Sequence, residues 1–258
     1  MKKSAQVEFE NDLIKSYVSG KVAVIKIKCN AFKTISNLEQ VNTVLPWFDA
    51  VEQDESIKGV LAISEKNCVG EKPYESFLSD ITGKKINQDS DKTVDKFEKQ
   101  EIRAIEINTL VNLIRKVMLF KKIFIASING EIVTPFFGIA LASDFRIGST
   151  DMKILFSHVK YALHPSGALP LFLPKYLNQQ LAVEYLIRGG EINGTKALEL
   201  NLVNELLPIE NFEENCIKKA EKYCTSGLNF IQNSKSLFNR NIKEFEEYVQ
   251  LEANYTFK

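Results

Sequence analysis

A chain of 258 residues with 45% hydrophobic content can bury a sizeable core in one large domain, or in one domain with a small appendage. Its 33 lysines and arginines balance 33 aspartates and glutamates, which argues against the long-range positive field of a nucleic-acid or anionic-membrane binder. The opening MKKSAQVEFENDLIKSY lacks the apolar run of a secretory signal, and no apolar stretch approaches the roughly 20 residues of a membrane span, so a soluble cytoplasmic protein is expected. Cys29, Cys68, Cys216 and Cys224 show no CxxC spacing and there are two histidines in all, so the expectation is reduced thiols and no metal site.

In chain order, Lys21 to Lys28 (KVAVIKIK) sets apolar residues against lysines and predicts a strand with one wet face. Ser36 precedes Leu38, Val41, Leu45 and Phe48, which predicts a helix capped by Ser36 with Glu39 as its capping-box partner; Pro46 implies a kink or a later start. Ile57 to Ile63 is a second apolar strand, and the order strand, helix, strand predicts an α/β architecture with parallel pairing. Residues 64–83 read as irregular, and 84–99, dominated by Lys, Asp, Gln and Ser, as a mobile surface loop. Ile102, Ile105, Leu110, Leu113, Ile114 and Val117 mark a long helix.

The stretch from Lys122 to Ile147 reads as a buried strand (Ile123 to Ile128), a turn at Asn129-Gly130, a loop through Pro135, an apolar helix (Phe136 to Ser143) and a strand from Asp144. Where a loop enters a helix, free N–H groups and the positive end of the helix dipole meet any oxygen that gains negative charge. Pro135 has no N–H to contribute. Beyond it come a short strand at 153–156, a turn at Leu163 to Gly167, helices over 181–187, 195–200, 212–224 and 228–238, a strand at 202–204, and a tail at 242–255 with Phe245, Tyr248, Val249 and Leu251 among charges.

Ile128-Asn129-Gly130, then Ala142-Ser143-Asp144-Phe145-Arg146-Ile147, then Leu163-His164-Pro165-Ser166-Gly167-Ala168, the run from Ala182 to Gly189, and Ala197 to Asn204 with Pro208 together resemble the enoyl-CoA hydratase/isomerase, or crotonase, superfamily in order and spacing. The resemblance implies an α/β fold: a crotonase-like spiral of strand-strand-helix turns over 1–200, with a C-terminal helical region over 201–258 that serves oligomerisation as a homotrimer or hexamer. It implies no bound cofactor, with a coenzyme A thioester, or an acyl-carrier thioester, as substrate or ligand. Members hold the thioester carbonyl in a hole of two backbone N–H groups and move protons with two side chains, commonly glutamates.

Carried across residue by residue, the resemblance places the first donor in Cys68-Val69-Gly70-Glu71, at the Glu71 N–H, with Lys72 where an Asp is usual. The second falls on Pro135, with the bulky Phe136 in place of a glycine; loss of such a donor costs about 10²–10³ in rate. The first hydratase glutamate falls on Gly138 and the second on His158, while some relatives carry an acid at the position of Ser166. Water addition by two carboxylates is therefore not expected. His158 is either a base and acid that titrates near neutrality or a packing histidine, and Ser166 either a site residue or a turn-former. Lys28, Lys33 and Lys235 are candidates for CoA phosphates by position. Two functional readings follow: a thioester enzyme with enolate-type chemistry such as decarboxylation or isomerisation, and a catalytically silent homologue that serves as a binding or partner protein.

Overall fold

The computed structural model describes residues 6–28, 31–86, 93–238 and 242–255. Strands β1 (Phe9–Glu10), β2 (Ile14–Ser19) and β3 (Val22–Ile27) form an antiparallel meander, and Gly20, at φ +55°, makes the turn from β2 into β3. Helices α1 (Ala31–Ile35) and α2 (Leu38–Gln53) then carry the chain to β4 (Gly59–Ser64), which pairs parallel with β3 in the expected strand, helix, strand order. Next come α3 (Glu71–Thr82), α4 (Gln100–Leu119), β5 (Ile123–Ile128), β6 (Glu131–Val133), α5 (Thr134–Ala142), β7 (Phe145–Ser149) and β8 (Lys153–Leu155). The remainder is α6 (Leu169–Phe172), α7 (Gln179–Arg188), β9 (Glu191–Asn193), α8 (Gly194–Glu199), β10 (Glu205–Leu207), α9 (Phe212–Tyr223), α10 (Leu228–Phe238) and α11 (Ile242–Ala253).

A seven-stranded sheet runs in the order β1-β2-β3-β4-β5-β7-β10, parallel from β3 onward, and β6, β8 and β9 form a smaller three-stranded sheet. The wet face expected for the first apolar strand does not exist, because Val22, Ala23, Val24 and Ile25 are all buried. Successive residues alternate between two cores: Ala23, Ile25, Val60, Phe124 and Ala126 face α2, α4 and α5, whereas Val22, Val24, Leu61, Ile63, Ile123 and Ile125 pack with Phe212, Cys216 and Ala220 of α9. Covering both faces of a parallel sheet with helices gives near-continuous apolar strands. β10 and α9, from the expected C-terminal region, thus belong to the main sheet and its second core.

Several local expectations change. α2 is capped by Asn37, whose Oδ1 accepts from the N–H groups of Glu39 (2.8 Å) and Gln40 (3.4 Å), while the Ser36 hydroxyl donates back to the Phe32 carbonyl. The helix continues through Pro46, since Asn42 and Pro46 are both exposed and water can serve the carbonyl that loses its partner. The stretch at 71–82, read as irregular, is α3: Tyr74, Phe77, Leu78 and Ile81 recur at helical spacing within a charged background and are buried. α5 begins at Thr134, so Pro135 lies in its first turn, where a missing N–H breaks no helical bond. The strand expected at 202–204 forms at 205–207; Leu202 and Val203 enter the core instead.

Candidate functional site

The segments that carry the expected donors converge. Asn67 in the loop after β4 accepts a bond from the Gly70 N–H at its carbonyl (3.0 Å) and one from the Glu131 N–H at its side chain (2.9 Å), and Val69 pairs with Ile132 of β6. The Cys68 thiol, buried, donates to the Lys28 carbonyl (2.6 Å). This lattice brings the start of α3 beside β6 and the start of α5, as the sequence requires for a two-donor hole.

The hole that the resemblance implies is not free. The Glu71 N–H donates to Glu131 Oε2 at 3.1 Å, so a side chain of the protein occupies the first donor. Only a glycine at 70 admits this approach, because a Cβ there would lie 2.6 Å from the same oxygen. The second donor position is Pro135, already without an N–H. The Glu71 carboxylate is engaged in turn: Ser157 and Tyr161 donate their hydroxyls to it, and Lys160 Nζ lies 2.8 Å away. Burial, then the Glu71 carboxylate, pushes the Tyr161 phenol far above its ordinary range, so it is a fixed donor.

The position where the resemblance implies a first proton-transfer group is closed as well. A Cβ on Gly138 would lie 1.7 Å from the Gly167 carbonyl oxygen, and one on Gly167, which sits at φ +71°, would lie 2.5 Å from the Pro135 carbonyl oxygen. The first turn of α5 and the turn at 163–168 interlock backbone to backbone, and any side chain at 138 requires them to part. Glu252 of α11 braces this contact by accepting the Ala168 N–H; burial pushes its carboxyl up to about 7. Ser166 is buried within the same turn.

His158 is 2% exposed. Its Nε2 lies 2.9 Å from the Leu186 carbonyl, which can only accept, so Nε2 carries the proton and Nδ1 accepts from the Thr134 hydroxyl at 2.9 Å. Burial holds its pKa below the ordinary histidine value, and the ring is neutral with both nitrogens committed. These contacts tie the start of α5 to the end of α7. Lys28 and Lys235 are likewise engaged, Lys28 with Glu10 and Lys235 with Asp144 and the Lys122 carbonyl.

On the other side of α5 the packing opens. An apolar cavity of about 140 Å³ lies between the sheet and α1, α2, α4 and α5, walled by Ile25, Ala62 and Ala126 below and by Val44, Leu113 and Ile139 above. Val69 and Phe136, the neighbours of the two donor positions, also line it. Thr109 and Ser127 in its wall turn their hydroxyls into the backbone carbonyls of Ile105 and Ala62. No ionisable side chain among the described residues lines it, and neither His158 nor Ser166 reaches it. Apolar space of 140 Å³ left empty forgoes about 3 kcal/mol of packing, at about 24 cal/mol per Å³.

Beside the cavity stands an aromatic cluster that sequence reasoning missed. Phe32 stacks on Tyr74 and Phe77, both at 5.1 Å between ring centres, and meets Phe136 edge-on at 4.9 Å. It spans α1, α3 and α5, and the three-residue spacing of Tyr74 and Phe77 was its available signal. Glu131 carried no such signal, since an acid after Asn129-Gly130 reads as a turn residue. Phe137, next to Phe136, is fully buried in the main core.

Comparison with known proteins follows this geometry. A probable enoyl-CoA hydratase of Bacillus subtilis is 25% identical over 239 residues, 90% of this chain and 84% of that protein. The fatty acid oxidation complex subunit alpha of Pseudomonas putida is 26% identical over 171 residues, which is 66% of this chain but 22% of that much longer protein. The fold superposes on an enoyl-CoA hydratase from Bacillus halodurans with a TM-score of 0.73 and 18% identity, covering 96% of each chain. With residues 90–257 matching the family model for enoyl-CoA hydratase/isomerase, and with the strand and helix order that the motifs implied, the chain belongs to the enoyl-CoA hydratase/isomerase family.

Proposed function

We propose that this chain binds the acyl group of a coenzyme A or acyl-carrier thioester in the apolar cavity and does not add water by the two-carboxylate route. The observation that carries the reading is the cavity's position: Val69 and Phe136 line it beside the two donor positions, and no ionisable group lines it. Glu131 on the Glu71 N–H, the absence of an N–H at Pro135, and the Gly138–Gly167 contact all oppose hydration. Relatives such as the probable enoyl-CoA hydratase of Bacillus subtilis are likewise named for coenzyme A thioesters.

Enolate-type turnover, decarboxylation or isomerisation, is the second reading, and one observation bears on it. It needs an N–H donor at the thioester oxygen, so Glu131 must first leave Glu71. A soluble homotrimer or hexamer in the cytoplasm completes the proposal, to be checked by light scattering.

Calorimetric titration tests the binding. Butyryl-CoA should release heat where free CoA releases much less, and crotonyl-CoA should bind without hydration. Equal binding of free CoA, or measurable hydration, would overturn the reading.

A further inference from the structure

We infer that the cavity selects a short or single-ring hydrocarbon acyl group of about six carbon atoms. The inference rests on the thioester reading for the CoA portion but on the cavity alone for the size limit.

The size comes from the volume. A cavity of about 140 Å³ is close to the engineered apolar cavity of about 150 Å³ that admits benzene. A two-carbon acyl group would leave most of it empty. A twelve-carbon chain exceeds it and would have to displace wall residues that are well supported: Phe48, 3% exposed, packs edge-on against Phe120 at 5.6 Å and stacks on Phe124, while Phe136 is held by Phe32.

The chemistry comes from the lining. Ile25, Val44, Leu113 and Ile139 present hydrocarbon, and two of the wall's hydroxyl groups, on Thr109 and Ser127, are committed to backbone carbonyls. A carboxylate or ammonium on the acyl group would meet no opposite charge in the wall, only the buried hydroxyls of Thr34 and Ser64, which have no other hydrogen-bond partner. The wall therefore favours a hydrocarbon acyl group over a charged one.

Phe136 sets the limit. It stands at the α5 end of the cavity, one residue past Pro135, with its ring wedged against Phe32. Removing the ring enlarges the cavity at its α5 end and lengthens the acceptable chain.

The experiment is an affinity series on the full chain with acetyl-, butyryl-, hexanoyl-, octanoyl- and dodecanoyl-CoA, with benzoyl-CoA as the ring and glutaryl-CoA as the charged control. Affinity should rise about fourfold per methylene up to about six carbons and then fall, with benzoyl-CoA near the maximum and glutaryl-CoA well below hexanoyl-CoA. Phe136→Ala should move the maximum to longer chains. A flat series, or affinity that climbs without a break to dodecanoyl-CoA, would overturn the size limit.

Benzene, followed by the thermal unfolding midpoint, separates this inference from the thioester reading. If no acyl-CoA binds but benzene raises the midpoint, and Ala140→Leu abolishes that rise, the six-carbon cavity stands and the thioester reading fails. If benzene has no effect on the wild-type chain, the cavity inference itself is wrong.

Discussion

Helix α5 serves two neighbourhoods with opposite properties. Phe136, Ile139 and Ala140, spaced by three and four, look onto an apolar cavity with room for a ligand. Pro135 and Gly138, on its other side, press against the turn at 163–168 so closely that no Cβ fits at 138. One side keeps space and hydrocarbon, and the other replaces space with backbone. The open cavity and the closed contact at Gly138 are thus separable: they lie on different sides of one helix and depend on different residues.

The sharpest way to break this comparison is to restore the side chain at the closed face. Gly138→Glu should not create a hydratase; it should cost about 3 kcal/mol or more of stability, read by chemical denaturation, because the Gly167 carbonyl must move. A folded variant that hydrates crotonyl-CoA would show that the closed face opens readily. Next in size is His158→Ala, which strands the Leu186 carbonyl in a partly buried site and leaves the Thr134 hydroxyl only its long bond to the Leu155 carbonyl (3.4 Å). A loss of about 2–3 kcal/mol is expected with acyl-CoA affinity unchanged, and a stable variant with abolished turnover would instead make His158 catalytic.

Glu131→Ala sharpens the comparison from the cavity side. Freeing the Glu71 N–H should tighten acyl-CoA binding by about three- to tenfold, the value of about one hydrogen bond, while leaving free CoA unaffected; no change would mean that the thioester oxygen lies elsewhere.

The smallest effects are in pH dependence. Burial lowers the His158 pKa from 6.5, so the stability tied to its neutral form is present above 6.5 and lost as pH falls through the folded value. Burial raises Glu252 from 4.5 to about 7, so its contribution is present below 4.5 and lost as pH rises through about 7. Denaturation midpoints across pH 4 to 8 should therefore lose part of their acid-side decline in His158→Gln and part of their decline toward neutrality in Glu252→Gln; unchanged profiles would place these groups in wetter surroundings than their burial implies.

Much of this architecture is legible in the residues. The apolar run at 123–128, the spacing of 102–117 and the Asn129-Gly130 turn each describe their element within a few positions, because local periodicity reports which face is buried. α3 escaped because its four apolar anchors lie among seven charged or hydroxylated neighbours between 71 and 82, and only packing against Phe32 reveals them as one face. The candidate site divides in the same way. That Pro135 offers no N–H and Gly138 no carboxylate is a matter of covalent structure, readable from composition at a position.

The state of every other group at the site depended on a neighbour distant in sequence. Glu131 lies 60 residues from the N–H it occupies, Thr134 and Leu186 fix the tautomer of His158 from opposite sides, and Gly167 closes Gly138 from a turn nearly thirty residues on. By itself the sequence determined the family, the parallel strand-helix-strand opening and the identities of Pro135, Gly138 and His158 at the positions the resemblance singles out, since these follow from residue identity and short-range pattern. Only the tertiary structure decided that the donor is occupied, that the histidine is locked and that a cavity opens on the far side of α5. Hydrogen-bond partnership and free volume are properties of what folding brings together.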